Sequence, residues 1–382
     1  MMNALMATRI SLDGLPTPAL LLDLDVVERN LRRMADRAAS LGVALRPHIK
    51  THKCIELGER QRALGVSGIT VSTLYEARVF AGHGFADITW AFPVILSRLG
   101  EVGELASRIT LRLVADSPEA VDALAGLGSS ERPLHVWLKV DCGYHRAGVD
   151  PAAPESVRLA ARIAGAPSLV FDGLLSHSGH AYNGGSREEI AGIAEEERAV
   201  TAGFAERLRD SGIAVPAVSV GSTPAMSAVE RLDGVTEARP GNYIFYDYTQ
   251  ATLGSCAVGD CGVTVLASVV STRGEQSIVD AGALALSKDT GPNRPEKKTL
   301  GEIFADYATG ALDPEVRLVS LSQEHGIVNA ALPVGSRVRI LPNHSCLTVA
   351  CFDEYQVVRG GEVVDRWKIW RGRSLDRGGE AC

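Results

Sequence analysis

Arg46-Pro47-His48-Ile49-Lys50-Thr51-His52-Lys53 puts two lysines, two histidines and an arginine into one octapeptide, directly after a strand-like run. A lysine can hold a carbonyl cofactor covalently once it loses its proton, and burial or a neighbouring cation promotes that loss. Lys50 is the leading candidate. Spacing alone does not separate it from Lys53, and the octapeptide by itself reads equally as a solvated basic loop. Near the far end of the chain, Pro342-Asn343-His344-Ser345-Cys346 sets an imidazole and a thiol one residue apart. On an extended segment an i, i+2 pair points both side chains to one side, and imidazole with thiolate suits zinc. Two ligands leave such a site incomplete, so a third comes from elsewhere or from water. A buried cysteine beside a capped histidine is the plainer alternative. Together the two segments suggest an enzyme that holds a carbonyl cofactor on a lysine, with a metal beside it.

Further polar segments follow other strand-like runs. Val220-Gly221-Ser222-Thr223-Pro224 offers a glycine that lets backbone approach an anion, with hydroxyls and amide N–H groups to hold phosphate oxygens. Taken alone it is also an ordinary turn. Glu237-Ala238-Arg239-Pro240-Gly241-Asn242-Tyr243 adds a cation and another glycine. Lys139-Val140-Asp141-Cys142-Gly143-Tyr144-His145-Arg146 and Ser176-His177-Ser178-Gly179-His180-Ala181-Tyr182 supply more polar groups, each straight after a strand.

The elements that must carry these segments alternate. Ala19 to Leu24, Ala44 to His48, Gly68 to Val71, Ile88 to Ala91, Ile109 to Leu113, His135 to Val140, Phe171 to Ser176 and Ala217 to Val220 read as strands. Helical spacing fills the gaps at Val26 to Leu41, Cys54 to Leu64, Thr73 to Gly82, from Pro118 onward and at Arg187 to Asp210. This predicts a parallel (β/α)8 barrel, whose active sites sit at the strand ends. After Tyr248 the texture becomes β-branched runs separated by Gly, Pro and Asp, with Gly360-Gly361 as a hairpin turn. The domains predicted are therefore a barrel over 18–250 and an all-β domain over 251–382, with residues 1–17 left available to the latter. The Pro- and charge-rich stretch from Thr290 to Thr299, around Lys297-Lys298, reads as a surface loop.

Composition narrows the field of functions. With 382 residues, 46% apolar and 22% charged, the chain is long enough for two domains and a sizeable core. Its net charge of −7 speaks against nucleic acid as the main partner. No run of about 18 apolar residues calls for a membrane span. Met1 to Ile10 lacks the pattern of a secretory signal. Seven scattered cysteines do not form a disulfide framework, so cytoplasmic residence is the default.

These residues resemble the fold-type III pyridoxal-phosphate enzymes, in the branch of D-threonine aldolase and eukaryotic-type D-serine dehydratase. The resemblance runs from Thr17-Pro18-Ala19-Leu20-Leu21-Leu22-Asp23 to the metal segment, and Pro47-His48-Ile49-Lys50-Thr51-His52-Lys53 is its most specific motif. It implies an alanine-racemase-like barrel with pyridoxal 5'-phosphate on Lys50. Arg146 would approach the cofactor's phenolic oxygen, His177 would pack on its ring with Tyr182 as a further contact, and Arg239 would face the pyridine nitrogen. Gly221, Ser222, Thr223, Gly241 and Asn242 would line the phosphate, and His344 with Cys346 would hold Zn2+ or another divalent metal. His344-Ser345-Cys346 and Gly179-His180-Ala181-Tyr182 resemble the dehydratase side. The aldolase side carries His-Cys-Asp at the metal, and no carboxylate stands at position 346 here. The implied activity is conversion of a 3-hydroxy-D-amino acid such as D-serine to a 2-oxo acid and ammonia, in a homodimer. The alternatives are a metal-dependent D-threonine or 3-hydroxy-D-aspartate aldolase, an amino-acid racemase and a non-catalytic pyridoxal-phosphate protein.

Overall fold

The computed structural model describes residues 10–66, 68–292 and 298–373. The segment 293–297, half of the expected Thr290 to Thr299 loop, lies outside the described residues, as do residues 1–9. Contacts gather the chain into two compact units. One contains 34–50, 57–241 and 372–373, and the other contains 10–33, 51–56 and 242–371.

In the first unit eight parallel strands follow one another in chain order: Ala44–Leu45, Ile69–Val71, Asp87–Pro93, Thr110–Ala115, Leu134–Lys139, Leu169–Leu175, Ala217–Val220 and Glu237–Ala238. The last returns to pair with the first, and a parallel bridge from His48 to Thr70 completes the ring. This is the (β/α)8 arrangement expected from the alternation. Helices such as Leu74–Gly82, Pro118–Leu127, Pro154–Gly165 and Arg187–Asp210 fall between the strands. Thr73 and Glu76 start the first of these with reciprocal side-chain-to-backbone bonds, a capping box legible as Thr-x-x-Glu. Val114, Trp137 and Leu175 form one buried cluster of the strands.

The second unit is a ten-stranded sheet built mainly from strands after Val263, as the change of texture predicts. Val263–Arg273 is its hub, pairing with Ala19–Asp23, Gln276–Val279 and Arg337–Leu341. Gly360 and Gly361, at φ +59° and +82°, turn Glu354–Arg359 into Glu362–Lys368, the left-handed pair a tight hairpin needs. Ala19–Asp23 departs from its expected place as the first barrel strand. It lies between Val263–Arg273 and Glu354–Arg359, antiparallel to one and parallel to the other. Its Ala-Leu-Leu-Leu run is buried throughout, and a run without alternation suits the middle of either sheet. Ile10–Ser11 also pairs here, with Val363 and Glu362.

Candidate active site

Lys50 stands in a single tight turn, Ile49–Thr51, and its side chain is exposed. The backbone before it is pinned from two sides: His48 N–H donates to Pro240 O at 3.0 Å, and Thr70 N–H donates to Pro47 O at 2.9 Å. Pro47 and the barrel closure thus fix the approach to Lys50. The Lys50 N–H points at His48 Nδ1, 3.4 Å away, whose Nε2 lies 3.4 Å from Ser72 Oγ. Lys53 is placed differently. It adopts a left-handed φ of +48°, belongs to the other unit, and its carbonyl accepts from Trp370 N–H at 2.7 Å.

Of all the expected cofactor contacts, His177 reports most on its neighbours. Its pKa is pushed well below the usual value, first by enclosure and then by the charges of Lys139, Lys50, Arg146 and Arg239. The fold therefore brings Lys50, Arg146, His177 and Arg239 into one electropositive neighbourhood. Lys139, at the end of Leu134–Lys139, is buried there, and its pKa falls to about 8 through burial and then repulsion by Arg239. Tyr144 packs edge-on to His177, with ring centres 6.2 Å apart, and stacks on His180 at 5.8 Å. Arg146 lies over the Tyr144 ring, 5.0 Å from its centre. Tyr182 is half-buried at the end of the turn Gly179–Asn183. A β-carbon on Gly179 would run into the Tyr144 ring, so this close approach requires glycine.

Arg239 is buried, and its guanidinium donates to Ser219 Oγ and to the Ser176 carbonyl. Gly221 takes φ +104°, open to glycine and strained for other residues, and its N–H donates to Glu197 at 3.2 Å. Ser222 caps the short helix Thr223–Ala228, and Thr223 is buried. Glu197 also accepts from Ser176 Oγ at 2.8 Å, Ser178 N–H at 3.0 Å and Ser178 Oγ at 2.6 Å. It ties two strand-end segments to the helix Arg187–Asp210. Sequence reading misses it, because Glu195-Glu196-Glu197 looks like part of a solvated helix face. A surplus of positive charge around an uncharged imidazole suits an anionic, aromatic cofactor on Lys50.

The second cluster lies wholly within the β unit. His344 precedes the short helix Ser345–Val349, so Cys346 is helical and not on the extended segment expected. The cap geometry nevertheless brings the two side chains into contact. Burial opposes charge on the His344 ring, but bonds to Asp289 and Cys346 outweigh it and push the pKa up to about 11. Asp289 Oδ2 lies 2.9 Å from His344 Nδ1. A carboxylate on Nδ1 fixes the tautomer that turns Nε2 outward as a ligand. Cys346 Sγ is 3.3 Å from Thr51 Oγ1, on the residue that follows Lys50 in the chain, and 3.9 Å from Asn242 Nδ2. Asn242 also donates to Asp247 at 2.6 Å, and Asp247 accepts from Ser345 N–H at 3.0 Å. The Asn242 side chain, expected at a phosphate, is thus engaged around the metal segment, while Gly241 just before it is half-buried. Among the described residues no group of three or more His, Cys, Asp or Glu gathers as a complete metal site. Two protein ligands with an outer carboxylate fit a divalent cation that completes its shell with other ligands. Asp289 carried no signal in the sequence, since it stands 55 residues from its partner in an irregular segment.

Comparison with known proteins gives the same outline. Residues 22–249 match the family model for the alanine racemase N-terminal domain, and residues 262–358 match a putative serine dehydratase domain. The chain is 39% identical to the D-threo-3-hydroxyaspartate dehydratase of Delftia sp., over 94% of this chain and 98% of that protein. It is 37% identical to the D-serine dehydratase of Dictyostelium discoideum, over 94% and 97%. Solved structures include the Delftia enzyme, at a TM-score of 0.89 and 38% identity, covering 95% of this chain and 100% of that one. The D-threonine aldolase of Filomicrobium marinum superposes at 0.85 with 31% identity, covering 96% and 98%. No helix among the described residues is long and apolar enough to cross a membrane.

Proposed function

Because the chain belongs to the alanine-racemase-like, pyridoxal-phosphate-dependent family that holds D-serine dehydratases, 3-hydroxyaspartate dehydratase and D-threonine aldolases, we propose that it is a dehydratase of 3-hydroxy-D-amino acids. The observation that carries the reading is the convergence of Lys50, Lys139, Arg146 and Arg239 on the uncharged ring of His177. Pyridoxal 5'-phosphate, when bound, supplies the electron sink for the α-carbon. Lys50 would hold it, with Gly221, Ser222, Thr223 and Gly241 available to the phosphate, Arg146 to the phenolic oxygen, and His177 and Tyr182 to the ring. Arg239, which keeps its own proton, would donate toward the pyridine nitrogen.

The Nζ of Lys50, when free, would take the substrate's α-proton on its own face. A single base on one face selects the D-enantiomer. His344 and Cys346, with Asp289 behind the histidine, would hold Zn2+ or another divalent cation, which supplies Lewis acidity for departure of the β-hydroxyl. Solved structures of D-threo-3-hydroxyaspartate dehydratase include a cysteine-to-alanine mutant in the metal-free form and a histidine-to-alanine mutant, which supports asking about these two residue types. Across the reaction the substrate loses its α-proton and β-hydroxyl as water. The resulting enamine takes water back and yields a 2-oxo acid and ammonia.

Retro-aldol cleavage to an aldehyde is the second reading, supported by the likeness to D-threonine aldolase. D-3-hydroxy amino acids incubated with the purified protein, with and without a chelator, separate the two. The dehydratase reading expects 2-oxo acid and ammonia that fall with the chelator; aldehyde without 2-oxo acid overturns it. A cytoplasmic homodimer accompanies the reading, and light scattering on the eluting protein tests the dimer.

A further inference from the structure

The barrel unit contains a continuous polar chain that leads to Arg239. Arg239 donates to Ser219 Oγ, and Ser219 Oγ donates to Glu237 Oε1 at 2.6 Å. Arg46 Nε donates to the other Glu237 oxygen at 2.8 Å, and its Nη1 donates to Asp87 at 2.6 Å. Arg112 donates to Asp87 at 2.8 Å and pairs with Asp172 at 2.8 Å. His135 Nδ1 ends the chain, 2.8 Å from Asp172 Oδ1. Three guanidinium groups thus alternate with three carboxylates, and Glu237, Arg46 and Asp172 are all buried.

The polarity of the Ser219 step is fixed by chemistry. An arginine only donates and a carboxylate only accepts, so the single hydroxyl proton of Ser219 goes to Glu237 and its lone pair faces Arg239. The other end of the Arg239 guanidinium is held by the Ser176 carbonyl, on a residue whose hydroxyl is in turn held by Glu197. Arg239 is therefore oriented through one serine hydroxyl by the buried carboxylate of Glu237 and by the Ser176 backbone carbonyl, and among the described residues it makes no direct salt bridge. A carboxylate in direct contact would draw the guanidinium to itself. One serine removed, it fixes the plane and leaves the charge uncancelled.

We propose that Glu237, acting through Ser219, is a positioning residue for Arg239 in the proposed reaction, a role that rests on the cofactor reading above. Arg46 and Asp87 hold Glu237 in turn, so the relay is anchored away from the cofactor segments. Gly68 belongs to that anchor, because a β-carbon there would collide with the Arg46 guanidinium.

The test uses the full-length holoenzyme with Ser219→Ala, Glu237→Gln and the double variant. It reads the near-visible cofactor band, its pH titration, and kcat and KM separately. Each single variant is expected to shift the band titration and lower kcat about ten- to a hundredfold, the scale of a lost bond to a charged group, with KM little changed. The double variant should fall no further than the worse single one, because both changes cut one relay. Where Glu237→Gln does not fold, Glu237→Asp replaces it, keeping the charge opposite Arg46 while withdrawing from Ser219. Multiplying losses in the double variant, or a Ser219→Ala enzyme with wild-type band and kcat, would overturn the relay. A wild-type protein with no cofactor band overturns the cofactor reading itself, and the proposal with it.

Discussion

His177 in the barrel unit and His344 in the β unit are the same side chain driven in opposite directions. Burial disfavours the charged ring at both. In the barrel, four cations add to that burial and hold His177 uncharged. In the β unit, Asp289 and Cys346 reverse it and lift His344 to about 11. The surroundings, more than the residue, decide what each site can receive. The first environment favours an anion such as a phosphate-bearing cofactor, and the second favours a cation. Two segments that are both basic or polar in the sequence become sites of opposite sign once their partners are in place.

The sharpest way to break this contrast is to empty one side and watch the other. Lys50→Ala should remove the near-visible band and lower 2-oxo acid production by at least about a thousandfold, while metal content by elemental analysis stays near wild type. Loss of metal together with the band would show that the two sites are not separable. Cys346→Ala should do the reverse, releasing the metal, keeping the band and costing on the order of a hundredfold in elimination. Wild-type turnover in a metal-free Cys346→Ala enzyme would make the pair structural. Asp289→Asn sharpens the comparison, since removing the charge behind His344 should weaken metal affinity by about ten- to a hundredfold without moving the band; competition with a chromogenic chelator measures this.

The smallest expected effect concerns Lys139. Burial above all, with repulsion by Arg239 and Arg146 working against the attraction of Glu197, leaves its folded-state pKa at about 8. An amine depressed on folding binds more protons unfolded than folded between the two pKa values, so stability rises with pH there. From pH 7 to 9 the gain in the cofactor-free protein should be about 1 kcal/mol, read as a rise in denaturation midpoint that Lys139→Met abolishes. An equal rise in the variant would assign the pH dependence to other groups.

What the sequence made legible was local. Lys50 lies in a motif of contiguous residues, and His344 with Cys346 are two apart, so short-range spacing carries them. Arg239 follows a strand by one residue, where a barrel places chemistry. Glu197 was illegible because its burial, at 1% exposure, depends on which face of Arg187–Asp210 turns inward within a run of three glutamates. Asp289 and the Glu237–Arg46–Asp87 chain were illegible for another reason. Their partners are distant in the chain: strand register brings Glu237, Arg46 and Asp87 together, while Asp289 meets His344 between two irregular segments. Ala19–Asp23 was assigned to the wrong sheet because a fully apolar strand carries no sign of its neighbours.

That strand also sets a timetable for the chain's synthesis. Its antiparallel partner begins at Val263 and its parallel partner at Glu354, so both are translated long after it. At the usual pace of elongation, roughly ten to fifty seconds separate Asp23 from Val263 as the ribosome adds them. For that interval an apolar Ala-Leu-Leu-Leu segment waits with unsatisfied strand edges, while every strand of the barrel can already be made. The β unit is consequently completed only after the barrel's last strand has been synthesised. A chain released before Val263 would carry its first strand without either of the neighbours it pairs with in the finished fold.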